Sequence, residues 1–390
     1  MERNAVTIAP FRTKSLGGLV RRRGSLAPVF VLAALVSAAA GSAQDRDAPA
    51  LETSTEQPAR AFAERSMHIL HLPLLDFGAP RPLAPPPGAF EWALESAYAA
   101  TYSTTWHARR FHSDPARRGT PLSREEADYI HLVYGQDEVL FIDGEALRTS
   151  LVGRYGITPS LSVAVEIPYI ARGLTGLETF VVNYHKAFGV DENGRDEFPK
   201  GRFTVMLQAP GGPMSLTDYE PGSGMGDVTA TVSWRRPLSA GGWSFGLDLA
   251  LKAPTGSASN ANGSGGWDGG LLAFAIWQKG RWTLEADASV VVPGKWKLPV
   301  PLDPTAMARA LGSVVYGFSE RTRAGLSVSV AQSPFRDRTY SSLSRAGVET
   351  GLGVEHDFGP RFATRLMLTE QLPSAGDRAD FGVILGLRYR

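Results

Sequence analysis

The chain has 390 residues, a formal net charge of +1, 42 glycines, 27 prolines and no cysteine. The charge balance argues against a nucleic-acid binder, which needs a basic excess. The missing cysteine excludes a disulfide-stapled module, thiol catalysis and thiolate metal sites.

Arg12, Lys14, Arg21, Arg22 and Arg23 precede an apolar run from Leu26 to Ala40, broken only by Pro28 and Ser37. Gly41-Ser42-Ala43 then supplies small residues ahead of Gln44-Asp45. This layout predicts a Sec-type signal peptide over 1–43, cleaved after Ala43. The run is short of the about 20 apolar residues that a spanning helix needs. No later segment has the length of a transmembrane helix. A mature chain embedded in a membrane must therefore be a closed barrel, the other structure that satisfies its backbone in lipid.

Residues 44–88 read as a flexible, proline-rich lead-in, with Pro80, Pro82 and Pro85-Pro86-Pro87 near its end. Met67 to Phe77 is more apolar. His68-x-x-His71 and Asp76 make a weak metal-ligand pattern there, with no helix to place them, so neither metal nor cofactor is expected.

From Phe90 onward, apolar and polar residues alternate in runs of about ten, the length a tilted strand needs to cross a bilayer. Phe90, Trp92, Leu94, Tyr98 and Tyr102 oppose Glu91 and Glu95. Leu147, Leu151 and Tyr155 oppose Arg148 and Arg154; Val163, Val165 and Ile167 oppose Glu166. The same holds around Asp227 and Arg235, Asp248 and Lys252, Glu285 and Asp287, Arg323, Glu349 and Glu355, Arg361 and Arg365, and Arg388. Leu271 to Trp277 is apolar on both faces and fits least well. Several runs begin or end in Trp or Tyr, as an interfacial girdle requires.

Connections at 156–160, 237–242, 279–280, 319–320 and 358–360 are short, and those at 104–142, 171–225, 253–269, 293–308, 332–344 and 371–379 are long. Short periplasmic turns alternating with long extracellular loops mark an outer-membrane barrel. The expected fold is all-β: an antiparallel transmembrane up-and-down barrel over 89–390, with about 12 strands, or 12–14. The alternating run 201–209 is placed inside the long loop 171–225; pairing with 129–142 would instead raise the count to about fourteen.

Asp143-Gly-Glu145, Tyr155-Gly156, Glu166-Ile-Pro-Tyr169, Asn183-Tyr-His185-x-x-Phe188-Gly189 and Gly194-Arg195 resemble the domain-of-unknown-function family numbered 3187. Gly222-Ser-Gly-Met-Gly226-Asp227, Lys252-Ala-Pro-Thr-Gly256, Gly263-Ser-Gly265 and Gln332-Ser-Pro-Phe335 fit the same resemblance, which covers roughly residues 90 to 390. It implies an exported bacterial protein of the outer membrane and no established activity. The family's middle motif usually has Asp where Asn183 stands, so an acid role there is not carried over.

In a barrel the charged faces line the lumen. The candidates are Glu91, Glu95, Arg148, Arg154, Glu166, Asp227, Arg235, Asp248, Lys252, Glu285, Arg323, Glu349, Arg361 and Arg365. They form either a structural ladder of ion pairs or the charge rings of a narrow aqueous path. Loop 171–225 is the expected plug or constriction, with Asn183, His185, Phe188 and Arg195 as its candidate residues. Asp191-x-Asn193-Gly-x-Asp196 has a calcium-loop flavour but lacks the closing Glu, and reads as a solvated turn.

The expected function is a narrow channel or binding barrel for an unidentified small solute. Its expected partners are outer-membrane lipid and the barrel-assembly machinery, which would read the C-terminal strand; catalytic residues are not expected. The alternatives are a lipid hydrolase using His185 or His356, and a secreted β-sandwich that would bury Leu247, Leu249 and Tyr389.

Overall fold

The computed structural model describes residues 60–390, apart from 113, 115, 118, 173–175, 190–194, 219–222, 237–241, 299, 301, 337–339 and 373–378. The predicted signal peptide and residues 44–59 lie outside the described residues, as does the Asp191-x-Asn193 turn.

Fifteen strands form one sheet among the described residues. They are β1 (Phe90–Thr104), β2 (Val139–Gly156), β3 (Leu161–Arg172), β4 (Thr204–Gln208), β5 (Met214–Asp218), β6 (Ser223–Met225), β7 (Thr229–Arg236), β8 (Trp243–Lys252), β9 (Asp268–Lys279), β10 (Trp282–Val292), β11 (Met307–Gly317), β12 (Thr322–Ala331), β13 (Gly347–Asp357), β14 (Phe362–Gln371) and β15 (Phe381–Tyr389). Twelve of them close into an antiparallel barrel. The seam is β1 against β15, in register from Trp92↔Tyr389 to Ala100↔Phe381. With the C-terminal strand paired on both sides, the barrel has no edge left to aggregate.

Alternation along each strand decides which face meets what. In β8 and β10, exposed and buried residues alternate along the whole strand. Leu249 is 62% exposed and Tyr389 51%, whereas Asp248 and Lys252 are buried. The apolar side therefore faces outward, opposite to a sandwich, as a lipid-facing wall requires.

Run 201–209 contributes β4, which pairs with the far end of β2 through Val139↔Gln208 to Asp143↔Thr204. This hairpin of β4 and β5 extends the sheet above the long-loop rim without entering the barrel, so the count stays at twelve. Arg361 is an exposed residue of the turn between β13 and β14, not a lumen residue. Its side chain has no place in the inward row, which on β14 runs Ala363, Arg365, Met367 and Thr369.

The largest departure from expectation lies at 60–88. This segment is not a free lead-in; it is folded inside the barrel. It rises from the short-turn end, where Gly88 N donates to Gly156 O at 2.8 Å. It turns over at His68 to Leu74, near the long-loop end, and returns to Ala61 and Phe62. Phe62, Met67, Ile69, Leu70, Leu72 and Leu74 belong to the main buried cluster. Trp296, Leu298, Phe335, Tyr340 and Leu343 of the long loops fold inward onto the same cluster. Leu75 and Phe77 pack on Leu272, Phe274 and Ile276 of β9. That contact explains why β9 is apolar on both faces: lipid covers one, the hairpin the other.

Phe62 sits in a slot of inward-facing glycines. A Cβ at Gly353 would overlap the Phe62 ring, and one at Gly325 would lie 2.9 Å from it. We expect Gly353→Ala to displace the hairpin at a cost of about 1–3 kcal/mol while the barrel stays closed. Adding Phe62→Ala should relieve much of that loss. Proteolytic release of 60–83, alongside heat-modifiable gel mobility, measures both; equal protease resistance in wild type and Gly353→Ala contradicts the slot.

Candidate functional site: a lumen closed by an N-terminal hairpin

The wall of the lumen and the hairpin are joined by charge. Arg60 pairs with Glu95 at 2.7 Å, Arg65 with Glu166 at 2.7 Å, and Arg81 with Glu91 at 2.9 Å and Glu95 at 3.0 Å. Carboxylates beside them hold the Arg60 and Arg65 guanidiniums charged despite their burial. Such pairs withstand desolvation only if their geometry is good and the remaining polar groups are satisfied.

Wall charges also satisfy the hairpin's backbone, which has no strand ladder of its own to do so. Arg365 donates to Ala61 O at 2.5 Å and stacks over the Phe62 ring. Arg309 donates to Phe77 O and Gly78 O; Arg154 donates to Leu83 O at 2.9 Å and Arg235 to Arg81 O at 2.7 Å. Glu285 accepts from Ala61 N at 3.2 Å, and Asp268 from Leu75 N at 2.8 Å. Most of the predicted lumen residues are thus buried toward the interior, and several of them bond the hairpin.

Others pair within the wall. Arg148 meets Glu166 at 2.9 Å, Arg235 meets Asp248 at 2.6 Å, and Arg323 meets Glu355 at 2.8 Å. Asp227 and Lys252 form a buried knot at the long-loop end. Lys252 Nζ lies 2.5 Å from Asp227 and 2.6 Å from the Ser264 hydroxyl, and Gly256 N donates to Asp227 at 2.8 Å. Glu349 is buried on β13. Between the hairpin and the wall of β2, β3, β7 and β8 a polar cavity of about 120 Å³ remains, lined by Arg65, Arg81, Arg154, Glu166, Thr231 and Asp248 among others.

His68, His71 and Asp76 shape the hairpin's tip. Ser66 Oγ bonds His71 Nδ1 at 2.8 Å, and Asp76 accepts from Ser66 N at 2.7 Å. The tip turns on His71 N and Leu72 N donating to His68 O.

Loop 171–225 is split among its described residues: Phe203, Val205 and Leu207 join the buried cluster that holds the hairpin, whereas the helix lies elsewhere. Its helix, Gly176–Phe188, lies on the outer wall. Val181 packs on Ala100 and Phe381, which share the outward rows of Phe90 and Tyr389. Asn183 is exposed on this helix, and the Phe188 side chain is outside the described residues. His185 faces Glu370 at 3.3 Å. Arg195 is buried among Asp380 at 3.4 Å, Asp143 at 3.8 Å and Glu178 at 3.9 Å. Glu145 receives Glu178 N and the Tyr98 hydroxyl, so a wall carboxylate caps the helix. Asp143, Glu145, His185 and Arg195 come together as an anchor outside the lumen. His356, on the lipid face at the short-turn end, bonds the Thr322 hydroxyl at 2.8 Å.

Three residues found here lay beyond sequence reasoning: Arg60, Arg65 and Phe62. A signal existed in the inward glycines Gly325, Gly351 and Gly353, which leave room for a bulky occupant.

Burial pushes the Glu178 carboxyl up, and burial pushes Asp380 up to about 6, against the pull of Arg195. Both acids bind protons more tightly folded than unfolded. The support from Asp380 is full below its ordinary value of 3.8 and is lost as pH rises through about 6, and that from Glu178 weakens in the same direction. Hydrogen exchange over 176–188, corrected for its intrinsic pH dependence, should speed up between pH 5 and 7. Asp380→Asn should flatten that rise; a wild-type profile that is already flat or falling contradicts the assignment.

Solved outer-membrane barrels are among the structures to which this chain is similar. The COG4313 outer membrane channel from Pseudomonas putida F1 matches with a TM-score of 0.50 and 14% identity, over 81% of this chain and 99% of that one. The KdgM porin matches with a TM-score of 0.37 and 7% identity, over 65% and 95%. The P. putida toluene transporter TodX matches with a TM-score of 0.37 and 11% identity, over 79% and 91%. None of the curated proteins matches the sequence. The profile described as "Protein of unknown function (DUF3187)" matches residues 129–390, and the chain belongs to that family.

Proposed function

We propose that this protein is an outer-membrane channel for a small solute, closed by its own N-terminal hairpin. One observation carries the reading: residues 60–83 occupy the bore through the ion pairs of Arg60, Arg65 and Arg81 with Glu95, Glu166 and Glu91. Twelve strands enclose more space than an eight-strand barrel can fill with wall side chains alone. The barrel of similar fold from P. putida F1 is described as an outer membrane channel, which supports the class but names no solute.

Export by the signal peptide over 1–43, insertion with the short turns in the periplasm, and recognition of the C-terminal strand by the barrel-assembly machinery belong to the same proposal. The hydrolase reading has less behind it. His356 is tied to Thr322, and His185 points from the outer helix to Glu370 on the wall. Neither arrangement presents a serine nucleophile to lipid.

Planar-bilayer recording tests the reading. The full chain should be closed or open only briefly. A 60–83 deletion that keeps heat-modifiable mobility should conduct steadily, and Arg60, Arg65 and Arg81 all changed to Gln should raise open time by about tenfold or more. A deletion that conducts no better than the full chain contradicts the channel and leaves the hairpin as a fixed core.

A further inference from the structure

Among the described residues, three helices stand outside the barrel, all on the same stretch of wall. Gly176–Phe188 covers the outward face of β1 and β15 near their long-loop ends. Trp106–His112 and Arg124–Tyr134 cover the outward face where β1, β2 and β4 rise past the rim, packing Phe111 and Ile130 on Tyr102, Phe141 and Met206. Strand rise and tilt put Ala100 and Tyr102 about 20–25 Å above the Trp92–Tyr389 girdle, the height of an outer-membrane apolar band.

The wall under these helices carries charge on its outward side. Asp143, Glu145 and Glu370 align with Tyr102, Ala100 and Phe381 on the lipid-facing rows. Bare carboxylates there would meet acyl chains at high cost. The helices cover them, yet their own outer faces are apolar in part. Phe180 is 52% exposed, Trp106 58% and Leu132 81%. Cations flank those positions: Lys186 and Lys200 beside the first helix, with Lys200 Nζ on the Thr179 hydroxyl at 3.1 Å, and Arg110 stacked on Trp106.

We infer that this collar is the seat of the phosphorylated, acylated lipid of the outer leaflet. Its acyl chains pack on Phe180, Trp106 and Leu132, and its phosphates meet Lys186, Lys200 and Arg110. The apolar face is continuous with the lipid-facing wall: below Phe180 lie half-exposed Tyr98 and Val383, then exposed Leu94 and Leu385. The flanking charge is complementary to a phosphate headgroup. A soluble protein partner on this face would have to displace lipid from the wall beneath it.

The chain has no cysteine, so single-cysteine spin labels read the collar directly. Phe180→Cys and Leu132→Cys in the full-length chain are compared with Leu249→Cys, in the apolar band, and Glu320→Cys, in a short turn. All are reconstituted in phosphatidylcholine vesicles with and without lipid A. Both collar labels should favour oxygen over a water-soluble nickel chelate by about threefold or more relative to Glu320→Cys. Lipid A should deepen them, and Lys186→Gln with Lys200→Gln should cancel that shift. Labels as open to nickel as Glu320→Cys overturn the proposal. So does dipolar broadening between copies, which assigns the face to a second chain. Loss of the lipid A effect alone with the labels still buried removes the phosphate contacts. These readouts do not involve conductance.

Discussion

Pairing of charge inside an enclosed tube is the constraint on which the rest depends. Inward-facing Glu91, Glu95, Glu166, Arg154, Arg235, Arg309 and Arg365 cannot sit in a water-poor bore without partners. The hairpin supplies them through Arg60, Arg65 and Arg81 and through its own carbonyls and amides. In return the wall satisfies a stretch of chain with no regular secondary structure of its own. Each is the other's solvent, so with the hairpin withdrawn water has to take its place against the charged rows. Apolar contacts then fix the register: Phe62 among glycines, and Leu75 and Phe77 on β9.

The barrel itself was legible because alternation is a local signal. Leu247, Asp248, Leu249 and the run from Phe381 to Tyr389 declare their faces two residues at a time, and the aromatic strand ends mark the interface. The occupant was not legible, because nothing near Phe62 or Arg65 in sequence says what they meet. Their partners, Gly353 and Glu166, lie far along the chain. Prolines and alanines in 44–88 read as a loose leader because the segment lacks periodicity, and it lacks periodicity because the wall, not a helix or ladder, satisfies its backbone. The two-faced apolar run of β9, which fits the alternation least well, is the trace that the hairpin leaves in the sequence.

Loop 171–225 divides between the two sides of the wall: Phe203, Val205 and Leu207 pack inside, and the helix packs outside. Its apolar helix and charged neighbours suit a plug as well as an outer collar, and composition does not distinguish inside from outside. Register does. Asp143 and Glu145 fall on the outward rows of β2, so whatever covers them has to be outside. The family motif around Asp143, Glu145, His185 and Arg195 therefore anchors a helix to the wall, while Asp227, Lys252 and Ser264 tie the long-loop ends of β7 to β9.

A cysteine pair across the glycine slot tests most directly whether the hairpin lives inside the barrel. Phe62→Cys with Gly353→Cys brings together positions whose side chains would touch, close enough for a disulfide. In intact outer membranes the account predicts near-complete oxidation to the cross-linked form, seen as a shift in unfolded gel mobility that reductant reverses. Two free thiols that both react with a bulky membrane-impermeant maleimide would contradict it.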